Sequence, residues 1–106
     1  MKKCILVLTT VPEEKIGQKI AEQLVKEKLA ACVTVSDPSL SFYRWQGKIA
    51  RETEHILFIK TRTALYQELE KRIREIHPYE IPEIIALDVH QGLKDYLGWI
   101  EKETKS

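Results

Sequence analysis

The chain has 106 residues, 43% of them apolar and 31% charged, a composition that suits one soluble folded domain spanning residues 1–106. Seventeen Lys and Arg face sixteen Asp and Glu, and this near-neutral balance does not suit a nucleic-acid binder working through a broadly basic surface. Two cysteines, Cys4 and Cys32, are too few for a disulfide framework in so small a chain and point to a reducing, cytoplasmic setting.

The first apolar run, residues 4–8, follows Lys2-Lys3 in the manner of a signal peptide. It is too short for a signal h-region and reads as a strand ending at Thr9-Thr10. No stretch is long and apolar enough to span a bilayer. Pro12, Glu13 and Glu14 make a good helix start, because proline suits the first turn and carboxylates suit the positive end of the helix dipole. Ile16, Ile20, Leu24 and Val25 recur at helical spacing, which predicts a helix over 13–29. Ala31-Cys32-Val33-Thr34-Val35 is a second strand, interrupted by Asp37-Pro38-Ser39 and resumed through Trp45. Gly47 supplies a turn, and a third strand covers 49–60 with Ile56 to Ile59 as its buried part. Thr63 is the expected N-cap of a second helix carrying Leu65, Leu69, Ile73 and Ile76. A fourth strand covers 83–89, Gly92 breaks it, and a short third helix carries Leu93, Tyr96, Leu97 and Ile100.

The order is β-α-β-β-α-β with a terminal helix, an α+β chain on the ferredoxin-like split βαβ plan. Right-handed crossovers give an antiparallel sheet of strand order 4-1-3-2, with a long hairpin between the second and third strands. Such a plan puts both main helices on one sheet face. A wet second face would show alternating polarity, yet residues 4–8, 56–59 and 84–87 are apolar at consecutive positions. The third helix is too short to cover four strands, so a second copy of the chain is the expected cover.

The most particular segment is His77-Pro78-Tyr79-Glu80-Ile81-Pro82-Glu83-Ile84. Pro78 disfavours the helical conformation at His77 and stops the second helix there. Pro82 keeps the following residues extended. The segment thereby fixes an imidazole and carboxylates at one end of the sheet, near Thr9 and Thr10.

Five blocks carry a family resemblance. They are Leu29-Ala30-Ala31-Cys32-Val33; Tyr43-Arg44-Trp45-Gln46-Gly47-Lys48-Ile49; Glu54 with Ile59-Lys60-Thr61; the segment from His77 to Ile84; and Tyr96-Leu97-Gly98-Trp99. In order and spacing the chain resembles CutA, the divalent-cation-tolerance protein family. The resemblance implies a homotrimer of ferredoxin-like subunits, architecturally related to PII signalling proteins, with a role in tolerance of copper and other divalent metals. It implies no known reaction and no required cofactor, copper(II) or another divalent cation being the ligand to expect. Thr34 stands where the family usually has Asn, so any contact needing an amide is lost.

A neutral imidazole is a good ligand for copper or zinc, which makes His77 a candidate metal ligand, with Glu80 as an oxygen donor. The competing reading is that His77 caps the second helix. Cys32 is a candidate thiolate, but the fold places it at the opposite end of the monomer, so it meets His77 only across subunits; otherwise it is a small core residue. Cys4 and His90 are neighbours at one sheet end, two ligands short of a four-coordinate site. Tyr43, Trp45 and Tyr79, with polar tips on dry rings, suit either a seam between subunits or the wall of a small-ligand pocket. Glu54, Lys60 and Glu83 belong to the same interface or pocket set, Lys60 pairing with a carboxylate such as Glu54 of another chain or with an anion. The charged positions of the second helix form a solvated face. Neither an acylphosphatase-like Arg-plus-Asn site, in a chain without Asn, nor the exposed aromatics of a ferredoxin-like RNA binder is present. A non-enzyme is expected, and the absence of Asn with a single Met, alongside many Glu, Lys and Ile, matches the bias of thermostable proteins.

Overall fold

In the computed structural model, which describes residues 3–106, nine elements follow one another. They are β1 (Cys4–Val11), α1 (Glu14–Lys26), β2 (Cys32–Val35), β3 (Ser39–Trp45), β4 (Lys48–Arg62), a 3-10 turn (Thr63–Leu65), α2 (Tyr66–Ile76), β5 (Ile85–Asp88) and α3 (Lys94–Glu103). All strand pairings are antiparallel, and the sheet runs β2-β4-β1-β5, with β3 pairing the outer half of β4. With β2 and β3 taken as one interrupted strand, this is the ferredoxin-like order expected from the sequence.

The interruption has a local cause. Asp37-Pro38 cannot continue the ladder, because proline has no N–H to donate. Ser36 closes the gap: its N–H donates to the Ile56 carbonyl at 2.9 Å, and its hydroxyl accepts from the Ile56 N–H at 2.7 Å. His55 Nδ1 lies 2.9 Å from the Ser36 carbonyl. Beyond this bend β3 and β4 continue as a long ribbon, from Ser39 opposite Glu54 to Trp45 opposite Lys48. Gln46 and Gly47 join them with φ of 50° and 78°, the two positive values that a tight hairpin turn demands.

Both main helices cover one face of the sheet. Ile5, Val7 and Val11 of β1 and Leu57 and Ile59 of β4 pack there against Ile20 and Leu24 of α1 and Leu69 and Ile73 of α2, all fully or almost fully buried. Gly17 lets α1 approach closely, since a Cβ at that position would lie 3.1 Å from Val11 Cγ2 and 3.3 Å from Leu57 Cδ2.

The registers put Leu6, Leu8, Thr10, Ile56, Phe58, Lys60, Ile85 and Leu87 on the opposite face. Helix α3 folds over one end of it only, where Ile100 and Leu97 meet Cys4. Arg62 fastens that end: its Nε donates to Thr104 Oγ1 at 2.9 Å and its Nη2 to the Lys105 carbonyl. Among the described residues no element covers the remainder, and Ile85 and Leu87 are half exposed.

Two local expectations are corrected. Thr63 does not cap α2; it opens the 3-10 turn, and no side chain bonds the first helical N–H groups. Helix α1 stops at Lys26, and Lys28 takes a φ of 61° to turn the chain.

Candidate functional site

Helix α2 ends where Pro78 forces it to, with His77 extended at φ −83° and ψ 140°. The His77 ring then turns away from the helix end. Its Nε2–H donates to the Thr10 carbonyl at 2.7 Å, and its Nδ1 accepts the Tyr79 backbone N–H at 3.0 Å. A ring nitrogen that accepts an N–H carries no proton, so the imidazole is neutral with its proton on Nε2. Burial lowers its pKa below the ordinary value, partly opposed by the Thr10 carbonyl and the Glu54 charge. The capping reading holds for the backbone and is corrected for the ring: His77 is the C-cap residue of α2, its N–H donating to the Ile73 carbonyl at 2.8 Å, while its imidazole fastens the end of β1, sixty-seven residues away in sequence.

Tyr79 continues the connection. Its ring lies 4.9 Å from the His77 ring, and its hydroxyl donates to Glu54 Oε2 at 3.0 Å. Burial pushes the Tyr79 phenol well up, helped by the hydrogen bond to Glu54 and by that carboxylate's charge. Glu54 sits on β4 where the sheet passes into the ribbon, and it is only 7% exposed. Thr10, His77, Tyr79 and Glu54 therefore tie β1, the segment after α2, and β4 together at one end of the sheet.

Beside this tie lies a cleft of 690 Å³. Tyr43 and Trp45 reach it from β3, Tyr79 and Glu54 from the tie, and Glu80 and Glu83 from the proline-rich segment. Burial, followed by the charges of Glu52 and Glu54, raises the Tyr43 phenol. Thus six of the residues singled out in the sequence meet at one place, with His77 in ring contact behind Tyr79. Sequence reasoning missed Ser41, Phe42 and Ile81 in the lining. The alternation Ser39, Ser41, Tyr43, Trp45 along one side of β3 was the signal available for Ser41.

Cys32 and Lys60 lie elsewhere. They are opposite one another on β2 and β4, with Nζ 3.8 Å from Sγ, level with Leu6 of β1 where His77 is level with Thr10. Cys4 is buried, its Sγ 3.9 Å from the Leu97 carbonyl, and burial raises its thiol pKa; His90 is exposed. Among the described residues no three His, Cys, Asp or Glu side chains converge as metal ligands. Within one chain, His77 reaches a metal only by giving up one of its two hydrogen bonds. Among the described residues no helix is long and apolar enough to cross a membrane.

Comparison with known proteins gives a consistent result. The family model for CutA1 divalent ion tolerance protein matches residues 5–103. The divalent-cation tolerance protein CutA of Thermus thermophilus is 42% identical over 99 residues, 93% of this chain and 96% of that protein. The protein of the same description from Pyrococcus horikoshii is 43% identical over 101 residues, 95% and 98% of the two chains. Among solved structures, CutA1 from Oryza sativa matches with a TM-score of 0.97 at 37% identity, covering 99% of this chain and 96% of that one. The Thermus thermophilus structure matches with a TM-score of 0.94 at 41% identity, covering 96% and 99%.

Proposed function

From its place in the CutA1 divalent ion tolerance family, to which this chain belongs, we propose that it acts without catalysis as a homotrimer in the response to divalent metal ions. The observation that carries the assembly is the open sheet face. Leu6, Leu8, Ile56, Phe58, Ile85 and Leu87 share one side of three strands, and α3 reaches only its Cys4 end. At about 25 cal/mol per Å² of apolar area, a face of this kind favours association. Three copies give each open face a neighbour, the closed symmetry that the family resemblance implies.

In this reading copper(II) or another divalent cation is cargo, not a resident cofactor. His77 and Glu80 supply ligands from one copy, His77 exchanging its bond to the Tyr79 N–H or the Thr10 carbonyl for the metal, and Cys32 supplies a thiolate from another. Its two free cysteines suit a reducing, cytoplasmic setting. Calorimetry with copper(II) on the parent, His77→Ala and Cys32→Ser tests the metal part. Weaker binding in either variant supports it, and equal affinity in all three removes both side chains from the account.

The cleft beside Tyr79 favours an alternative, a PII-like signalling trimer that responds to a small molecule. A thermal-shift screen with nucleotides, organic acids and organic cations tests it, and an unchanged melting temperature with every one would count against it.

A further inference from the structure

Helices α1 and α2 leave a hollow of 540 Å³ between them. Their inner sides, with Leu24 and Ile73, belong to the core against the sheet, and the hollow opens on the outer side of the helix layer, where Lys19 and Lys26 are exposed. It therefore lies away from the open sheet face that further copies are proposed to close. The two helices run antiparallel, because each returns from one of two neighbouring antiparallel strands, β1 and β4. At the C-terminal end of α1 the Arg72 guanidinium forks onto Glu27, with Nε 2.9 Å from Oε1 and Nη2 2.9 Å from Oε2. Gln23 and Lys26 line the hollow at this same end. From Arg72, α2 runs back along α1 and carries Ile76, followed by Pro78, toward Ile20 and Ile16. One end of the hollow is thus cationic and the other apolar.

The charges decide what suits it. Arg72 is already matched by Glu27 and, at 3.5 Å, by Glu75. Lys19 and Lys26 have no ion pair among the described residues, and against them the lining sets only Glu22. A positive charge is left over, which repels metal cations and favours an anion. An inorganic anion would leave Ile16, Ile20, Ile76 and Pro78 facing water. An amphipathic helix of a partner protein needs apolar anchors over two turns or more. The apolar floor spans one turn of α1, from Ile16 to Ile20, about 6 Å. A short chain with an anionic end matches both halves of the hollow.

We propose that this hollow binds a small amphiphilic monoanion, a medium-chain alkyl carboxylate. The chain lies on Ile16, Ile20, Ile76 and Pro78, and the carboxylate meets the Lys26 ammonium beside the Arg72 fork. The stem of Lys19 covers one side of the chain, as lysine stems lie along apolar surface. The inference goes beyond metal tolerance. Every residue it uses belongs to one chain and lies on the helix layer, so it stands whether or not the open sheet face is closed.

Titration of the intact, isotopically labelled protein with octanoate at physiological ionic strength, followed by amide NMR, tests it. The expected result is saturable shifts confined to the facing stretches of α1 and α2, with one site per chain. Butanoate has the same head on a shorter chain and should bind about tenfold more weakly or worse, because it buries fewer methylene groups. Lys26→Glu replaces attraction by repulsion at an exposed position and should weaken octanoate about threefold or more. Lys102→Glu, the same change of charge at an exposed position on α3, should leave binding unchanged. Should Lys26→Glu fail to fold, the comparison of chain lengths on the parent protein carries the test. Four outcomes overturn the proposal. The first is no saturable shift at millimolar octanoate. The second is equal affinity for octanoate and butanoate, which marks a counterion effect only. The third is equal weakening by Lys26→Glu and Lys102→Glu. The fourth is shifts centred on Tyr43, Trp45 and Glu54, which would place the acid in the cleft beside Tyr79 instead.

Discussion

On the helix-covered face of the sheet Val7, Leu57 and Ile59 are wholly buried, whereas on the other face Ile85 and Leu87 stay half exposed. The two sets alternate along the same strands, and their side chains are of the same chemical kind. What separates them is the layer above: α1 and α2 on one side, and on the other only the end of α3. Strand hydrophobicity therefore marks which surfaces must be covered, and not what covers them. The covered face accounts for the stability of one chain, and the open face is the surface proposed above to be closed by further copies.

Adjacent substitutions should separate these roles most sharply. Leu57→Ala empties a site in the covered core and should destabilise the chain by about 2–5 kcal/mol, read from chemical denaturation. Phe58→Glu, the next residue on the opposite face, should leave the circular dichroism of a folded chain while lowering the particle mass. A Phe58→Glu protein that keeps its full assembly mass would break the comparison.

His77 tests the tie at the sheet end. His77→Ala removes the donor to the Thr10 carbonyl and the acceptor of the Tyr79 N–H, and should cost about 2–3 kcal/mol. The pH dependence has a definite sign. The folded state favours neutral His77, so the stability it contributes is complete above the ordinary imidazole value of 6.5 and is lost as pH falls from there through the lower folded value. Denaturation curves of the parent should show this loss, and those of His77→Gln should lack that component. An identical acid profile in both would remove His77 from the tie.

The smallest effect has the opposite direction and lies on the covered face. Thr9 Oγ1 is buried without a hydrogen-bond partner among the described residues. Thr9→Val exchanges that orphaned hydroxyl for a methyl group of similar volume and should raise stability by about 1 kcal/mol. A loss of stability there would mean that the hydroxyl has a partner, such as a water molecule.

Much of the fold was legible because it is written locally. The helical spacing of Ile16, Ile20 and Leu24 marked α1, Gly47 marked the ribbon turn, and Pro78 marked the end of α2. The bend at Asp37-Pro38 was legible for the same reason. The failures were also local: Thr63 has the chemistry of a cap, but the tight turn that opens there leaves its side chain without that bond. The candidate site was legible as a set of residue types and not as an arrangement. Strand order placed His77 beside the Thr9-Thr10 end of β1, but nothing in the sequence announces the bond to the Thr10 carbonyl or the one from Tyr79 to Glu54. Those contacts follow from β1 and β4 lying side by side in the sheet. Cys32 shows the converse, since its chemistry suggested a ligand while its register places it beside Lys60.

The account turns on the open face being closed by further copies of the chain. Multi-angle light scattering on the purified protein at micromolar concentration measures this directly. The predicted particle has three times the 12.4 kDa mass of one chain, unchanged on modest dilution. A stable, monodisperse particle of single-chain mass would contradict it.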